Sequence, residues 1–203
     1  MEDVRKRIEG RSWGPDAFPQ LTGLLRTMST DVLGTAPDGH MIWVQCDGRA
    51  RISDLMAQSD KDLFETLFMM CELRQDHLDR LSEQSGHLTK LIQVRDLSGL
   101  SISSLVRDRQ VMGRLKKVLN CINLAYPENV QSIALLNLPS GFNLLWAVVN
   151  PLLNDRIRRK FRFLGQETYA MELATLAGTQ ALEALVRARN LRSEDRSSLE
   201  VPA

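Results

Sequence analysis

Apolar residues follow two different periods along this chain, and the two periods alternate. Short apolar runs rich in β-branched and aromatic residues, each closed by a turn signal, predict strands at residues 41–46, 88–94, 132–138 and 160–164. Apolar residues that recur every three or four positions predict helices at residues 61–81, 109–125, 142–149 and 169–188. Four repeats of strand then helix predict an α/β fold with a mainly parallel sheet flanked by helices.

Turn signals and composition set the expected boundaries of this domain. Residues 1–30 carry two proline-containing turns and a short apolar pattern, so we expect a short N-terminal helical segment there. Residues 31–188 hold all the alternating elements and are predicted to form the domain. Residues 189–203 are polar and charged, which predicts a disordered tail. A total of 203 residues is ordinary for one domain with tails.

Charge and cysteine usage argue against several classes of protein. The net charge of +1 gives no general attraction to nucleic acid, so no nucleic-acid partner is expected. Cys46, Cys71 and Cys121 are odd in number and far apart, which argues against a disulfide framework and favours buried thiols in a cytoplasmic protein. No apolar run approaches the ~20 residues that cross a bilayer, so membrane contact is expected to be peripheral.

Catalytic and metal-binding patterns are sparse in this sequence. Neither a Walker loop nor a Gly-x-Gly-x-x-Gly loop occurs. His40, His77 and His87 lie in different segments, and no Cys-x-x-Cys or His-Glu-x-x-His pattern is present. We therefore expect a protein that is not an enzyme and that holds no metal and no cofactor.

An almost uniformly apolar helix followed by a basic run is the most unusual local feature. The helix is predicted at residues 142–149, and the cations after it are Arg156, Arg158, Arg159, Lys160 and Arg162. A helix that is apolar on all sides is usually buried in a core, and the pattern by itself favours that interpretation. The alternative is a helix with one side on a lipid pocket, beside cations that each attract anionic head groups by ~1 kcal/mol. The cations could equally form a solvated surface patch.

Six short motifs follow one another in a fixed order between residues 38 and 165. They read Asp38-Gly-His-Met-Ile-Trp43, Asp96-Leu-Ser-Gly99, Tyr126-Pro-Glu128, Asn137-Leu-Pro139, Asn150-Pro-Leu-Leu153 and Lys160-Phe-Arg-Phe-Leu-Gly165. In this order they resemble the motifs of the CRAL-TRIO family of lipid-binding domains. Any one motif alone would be weak, whereas the ordered series is specific.

The resemblance implies a sheet that floors a pocket for one lipid, with the apolar helix as its gate. Glu128 and Lys160 occupy the positions that hold an inositol phosphate head group in the phosphatidylinositol-transfer branch, where a cation pairs with phosphate and a carboxylate accepts from hydroxyls. The expected pocket lining is Trp43, Leu91, Gln93, Phe142, Leu145 and Val149. The cations expected to face the membrane are Arg156, Arg158, Arg159 and Arg162.

Two positions argue against one class of lipid as the ligand. Leu91 and Gln93 stand where phosphatidylcholine-binding members carry serine and threonine, which disfavours a choline lipid.

Two functions stay open. The first hypothesis is lipid transfer or sensing, with a phosphoinositide exchanged by a cytoplasmic protein that associates peripherally with membranes. The second is a protein-interaction or signalling module that has a protein partner and transfers no lipid. Native mass spectrometry separates them, because a co-purified lipid supports the first and an empty protein with a stoichiometric partner supports the second.

Overall fold

A computed structural model describes residues 30–50, 52–125 and 129–190. Nearly all of the predicted N-terminal helical segment, the head-group candidate Glu128 and nearly all of the polar tail lie outside these residues. Within them, no helix is both long enough and apolar enough to cross a membrane. The same residues contain no cluster of three or more histidine, cysteine, aspartate or glutamate side chains suited to a metal ion.

Five strands form one sheet within the described part of the chain. They are β1 (Thr30–Thr35), β2 (Met41–Cys46), β3 (Leu91–Asp96), β4 (Val130–Leu136) and β5 (Phe161–Phe163). The strands lie side by side in chain order, with β1 antiparallel to β2 and every other pair parallel. The predicted mainly parallel sheet is confirmed. The sequence pattern does not predict β1, because this edge strand, Thr-Asp-Val-Leu-Gly-Thr, carries only two large apolar residues.

Helices cover both faces of the sheet. The structure defines α1 (Ile52–Ala57), α2 (Asp60–Ser85), α3 (Ile102–Arg107), α4 (Arg109–Ala125), α5 (Phe142–Val149), α6 (Asp155–Arg158), α7 (Tyr169–Ala177) and α8 (Thr179–Asn190). α2 begins where the Ser59 side chain accepts a hydrogen bond from a backbone N–H of the first turn, and it ends at Gly86 in the left-handed conformation. The predicted helix at 169–188 is divided into α7 and α8 at Gly178, whose φ is +76°. α8 extends two residues into the segment predicted as tail.

One face of the sheet is closed by α7 and α8. Alternate residues of the strands point toward these helices, as the two-residue period of a strand requires. They are Ile42, Val44, Cys46, Ile92, Val94, Ala134 and Leu136. The buried residues of α8 that meet them are Ala181, Ala184, Leu185 and Ala188. The small alanine side chains let the helix backbone approach the sheet, so this face holds a close-packed core.

The opposite face is covered in two separate places. α2 packs on the amino-terminal half of β2 and β3, in a cluster that includes Met41, Trp43, Leu63, Leu67, Met70 and Leu91. α5 packs near β4, in a second cluster formed by Leu97, Ile133, Leu135 and Phe142. Between the two clusters, the carboxyl-terminal part of this face borders a cavity.

Candidate functional site

A cavity of about 290 Å³ lies between the second face of the sheet and the helices around it. Gln45, Arg95 and Leu135 lie in its floor as neighbours in one row across β2, β3 and β4. α1, α2, α4 and α5 supply its walls, mainly with leucine, valine and methionine side chains. The volume is close to the lower end of the ~300–1,000 Å³ range of small-molecule sites, and the mainly apolar lining suits an apolar ligand.

α5 forms one wall of this cavity and leaves its other side exposed. Its cavity side consists of Phe142, Leu145, Trp146 and Val149. On the outer side, Leu144 is 61% exposed. The Trp146 ring has three aromatic neighbours, with its centroid 5.0 Å from that of Phe161, 5.1 Å from that of Phe163 and 6.2 Å from that of Phe142. The helix is therefore a surface wall, and the buried core helix that the pattern by itself favours is wrong.

The structure brings three of the six predicted lining residues to the cavity and places the other three beside it. Phe142, Leu145 and Val149 belong to the wall described above. Trp43 and Leu91 lie instead in the cluster beneath α2. The reason is the position of α2, which covers the amino-terminal half of the strands and leaves the carboxyl-terminal half to the cavity.

The other predicted residue on these strands, Gln93, is half-buried on the same face. It pairs in register with Trp43, one inward-facing row away from Gln45 and Arg95. The guanidinium of Arg74 lies over the Trp43 ring, 4.3 Å from its centroid, and contributes to covering that row. Contact between lipid and Trp43, Leu91 or Gln93 stays a prediction.

A partly buried ion pair at the cavity floor is absent from the sequence predictions. Arg95 donates to both carboxylate oxygens of Asp47, from Nε at 2.8 Å and from Nη2 at 2.9 Å. Burial lowers the pKa of Arg95, but the charge of Asp47 and these hydrogen bonds raise the pKa more, and the net shift is upward. Arg95 therefore keeps its positive charge at the floor of a mainly apolar cavity.

The sequence carries a signal for this pair that depends on the side-chain direction of β3. Arg95 lies an even number of positions after Leu91 on β3, so both side chains point to the same face of the sheet. This is the face that α2 and α5 partly cover. A charged side chain that points inward from a central strand is unusual, because it needs a partner of opposite charge. The partner, Asp47, follows β2, and its neighbour Gly48 lies so close to the Ser98 carbonyl that an added Cβ would be 1.7 Å from that oxygen.

Lys160 lies at the other end of the parallel strands from the Asp47–Arg95 pair. It directly precedes β5, is half-buried, and its carbonyl accepts a hydrogen bond from the backbone N–H of Ile133 at 2.9 Å. Burial lowers the pKa of Lys160, and the nearby charges of Lys90 and Arg156 lower it further. These three cations concentrate positive charge at the amino-terminal edge of the sheet.

The four arginines of the predicted membrane-facing patch are all exposed. Two of them also hold the local backbone. Arg158 forms an ion pair with Asp155 at 3.0 Å and donates to the carbonyl of Leu153 at 3.0 Å. Arg162 donates to the carbonyls of Arg159 and Phe161. The patch is thus ordered around α6 and β5, and its contact with membranes stays a prediction.

Asp96, the first residue of the Asp-Leu-Ser-Gly motif, anchors the closed face of the sheet. Its carboxylate accepts hydrogen bonds from Asn137 Nδ2 at 2.7 Å, from Arg189 Nε at 2.7 Å and from the Ser98 backbone N–H at 3.0 Å. Burial raises the pKa of Asp96, but these hydrogen bonds lower it more, so the pKa lies below its usual value. The motif aspartate therefore connects β3 to α8 and to the loop after β4.

Comparison with known proteins agrees with this architecture. The model of the CRAL/TRIO domain matches residues 30–185, which is most of the chain. The chain belongs to the CRAL/TRIO domain family. Membership supports the lipid-binding role that the resemblance implies. The crystal structure of Sfh5 matches with a TM-score of 0.56 over 80% of this chain and 55% of that chain, at 16% sequence identity, which shows the shared fold.

Curated relatives are similar to this CRAL/TRIO domain over part of their length. The SEC14 cytosolic factor of Yarrowia lipolytica is 28% identical over 134 residues, which cover 64% of this chain and 27% of that protein. Patellin-4 of Arabidopsis thaliana is 28% identical over 103 residues, which cover 51% of this chain and 18% of that protein. The matched segment therefore corresponds to about a quarter or less of the length of these relatives.

Proposed function

We propose that this CRAL/TRIO domain holds one lipid in the cavity beneath α5 and exchanges it at membrane surfaces. The observation that carries the proposal is a mainly apolar cavity with a wall, α5, that is exposed on its outer side. A segment with few buried contacts on one side opens at a lower free energy than the close-packed core under α8. The gate role that the family resemblance implies is therefore physically reasonable for α5.

Apolar side chains on the outer surface near α5 support contact with a bilayer. Leu144 on the helix is 61% exposed, and Phe163, which contacts Trp146, is 44% exposed. Arg159 and Arg162 are exposed beside Phe163 in the chain. Apolar groups that enter the head-group region, combined with cations worth ~1 kcal/mol each near an anionic surface, favour reversible peripheral binding.

We further propose that a phosphoinositide head group binds at Lys160 and Glu128. Lys160 is half-buried next to Lys90 and Arg156, and such a group of cations suits a phosphate. Glu128 precedes β4 by two residues and Lys160 precedes β5 by one, and β4 and β5 are adjacent parallel strands. Equivalent ends of adjacent parallel strands lie at one edge of a sheet, which is where a shared ligand would contact both residues.

Extraction of a phosphatidylinositol monophosphate from phosphatidylcholine vesicles tests this head-group site. We expect Lys160→Ala to reduce extraction about tenfold, because a charge-assisted hydrogen bond is worth roughly 1.5–3 kcal/mol. Lys116→Ala is the matched control, since Lys116 is an exposed lysine on α4. If the two variants change extraction equally, the head-group assignment of Lys160 is contradicted. An unextracted lipid together with a stoichiometric protein partner would support the protein-interaction function instead.

A further inference from the structure

The wall helix α5 has few buried contacts that could hold it on the cavity. Of its eight residues, Phe142 alone is buried, and the other seven are exposed or half-buried. The helix begins after Gly141, whose φ is +81°, and no side chain of the described residues caps that end. A segment with so few buried contacts opens at a low free energy unless other interactions hold it.

The C-terminal end of α5 needs a donor from another element. The helical path of α5 continues through a single 3₁₀ turn, Asn150–Leu152, and the backbone becomes extended at Leu153. The last carbonyl groups of a helix lack N–H partners inside the helix. Pro151 has no N–H to donate, so this end has one helical hydrogen bond fewer. A donor outside the helix can therefore stabilise this end.

Arg158, which belongs to α6, is such a donor. Its Nη2 donates to the carbonyls of Asn150 at 3.3 Å and Leu153 at 3.0 Å, while Nη1 forms an ion pair with Asp155 at 3.0 Å. α6 itself is anchored, because its Ile157 is buried. A cation at the C-terminal end of a helix also interacts favourably with the helix dipole. Arg158 thus attaches the end of α5 to an anchored neighbour.

Asn150 opposes this attachment. Its side-chain oxygen Oδ1 is buried and has no hydrogen-bond partner among the described residues. A buried polar atom without a partner destabilises the state in which it is buried, because water would otherwise bond to it. When α5 moves away from the cavity, this end of the helix is exposed and Oδ1 bonds to water. The same joint therefore contains one group that favours closure and one group that favours opening.

We propose that Arg158 and Asn150 set how often α5 opens the cavity, with Arg158 favouring the closed state and Asn150 the open state. Arg158 is a positioning residue, since it acts through the carbonyl groups at the end of α5 and not on the lipid. Val149, which lines the cavity, directly precedes Asn150, so a displacement of this joint moves the cavity wall. The inference rests on the proposed lipid exchange and adds the residues that control its rate.

Amide hydrogen exchange of the purified chain without added lipid tests this joint directly. We expect Arg158→Met to speed exchange of the α5 amides about tenfold, because two hydrogen bonds from a charged group are lost. Exchange of the α8 amides should not change, since α8 packs on the other face of the sheet. The matched control is Arg80→Met, which removes an exposed arginine that pairs with an aspartate on its own helix, as Arg158 does. The control should leave exchange in both helices unchanged.

A second variant, Asn150→Leu, keeps the test decisive if Arg158→Met folds poorly. It replaces an amide that has an unpaired oxygen with an apolar side chain of similar size, so we expect the α5 amides to exchange about threefold more slowly. A merely structural role for the joint would not give opposite changes at the two positions. Faster exchange of α5 in Asn150→Leu, or equal exchange in Arg158→Met and Arg80→Met, overturns the inference.

Release of a fluorescent phosphatidylinositol from the preloaded chain into phosphatidylcholine vesicles connects the joint to lipid exchange. These vesicles carry no net charge, so loss of the Arg158 cation does not by itself change attraction to them. We expect several-fold faster release from Arg158→Met and several-fold slower release from Asn150→Leu. Unchanged release rates, with lipid still extracted by the unmodified chain, overturn the inference alone. If the unmodified chain extracts no lipid, the proposed function fails, and hydrogen exchange alone decides whether the joint controls the opening of α5.

Discussion

The two faces of the sheet use alternate residues of the same strands, yet they are packed in different ways. On the closed face, Ile42, Val44 and Val94 are fully buried beneath the alanines of α8. On the cavity face, the corresponding row contains Gln45 and Arg95 and borders a cavity of about 290 Å³. A close-packed face gives the domain its stability, because dense packing maximises dispersion contacts. The other face can then leave space for a ligand.

Arg95 and Asp96 show the same contrast in two consecutive residues. They are neighbours on β3 and therefore point to opposite faces. Asp96 accepts three hydrogen bonds from residues fixed in the closed face and has 1% of its side chain exposed. Arg95 has one partner, Asp47, and 35% of its side chain exposed toward the cavity face. The hydrogen-bonded network around Asp96 therefore stabilises the fold, whereas Arg95 keeps hydrogen-bonding capacity that a ligand can use.

The largest expected effect comes from the closed face. Arg189→Ala leaves the buried carboxylate of Asp96 without its cation, so we expect the free energy of unfolding to fall by about 3 kcal/mol. Urea denaturation measures it. Arg187→Ala is the control on the same helix, because Arg187 is exposed and lies 4.0 Å from Glu183; it should change the free energy of unfolding by less than about 0.5 kcal/mol. Equal effects of the two variants would contradict the role given to Asp96.

Overpacking should distinguish the two faces more directly. Ala184 is fully buried against the sheet, so Ala184→Leu should lower the free energy of unfolding by about 2 kcal/mol. Val149 lines the cavity, so Val149→Leu adds a methylene group to open space and should change stability by less than about 0.5 kcal/mol. Thermal unfolding of both variants measures the difference. A cost at Val149 as large as that at Ala184 would show that both faces are equally close-packed.

The pH dependence of stability should also report the closed face. Because the folded-state pKa of Asp96 is lowered, the unfolded chain binds its proton first as the pH falls. The stabilisation that the Asp96 carboxylate gives the folded state is therefore complete above the pKa of Asp96 in the unfolded chain, near pH ~4. It is lost as the pH falls through the pKa of Asp96 in the folded chain. We expect the stability difference between the unmodified chain and Asp96→Asn to shrink below that pH. A difference that stays constant from neutral to acidic pH would contradict this.

The smallest effect on stability is expected on the outer surface of α5. Leu144 is 61% exposed, so Leu144→Ser should change the free energy of unfolding by less than about 0.5 kcal/mol. The rate of lipid transfer between vesicles should nevertheless fall several-fold, because an apolar side chain that enters the bilayer is lost. Val186→Ser is the matched control, since Val186 is a 54% exposed residue on α8 at the other face. Equal transfer rates for the two variants would contradict the prediction that α5 contacts the membrane.

Much of the fold follows from local periodicity. Strands and helices alternate because apolar residues repeat every two or every 3.6 positions, and this requires no knowledge of distant contacts. The pattern therefore predicts β2 to β5 and the mainly parallel sheet. It does not predict β1, which is an edge strand with little apolar character, nor the junction at Gly178, since the apolar stripe continues across it. The ordered motifs between residues 38 and 165 point to the CRAL/TRIO family from the sequence alone.

The tertiary structure decided where the cavity lies and which residues reach it. Sequence reasoning placed Trp43, Leu91 and Gln93 in the lining, but α2 covers that end of the strands and the cavity forms one row further along. The apolar pattern by itself favoured a core position for α5, whereas the family resemblance implied a pocket gate, and the fold leaves Leu144 exposed. The sequence by itself determined the elements and the family, because these depend on local spacing. The Asp47–Arg95 pair and its free donors depend on strand register and helix position, which only long-range packing fixes.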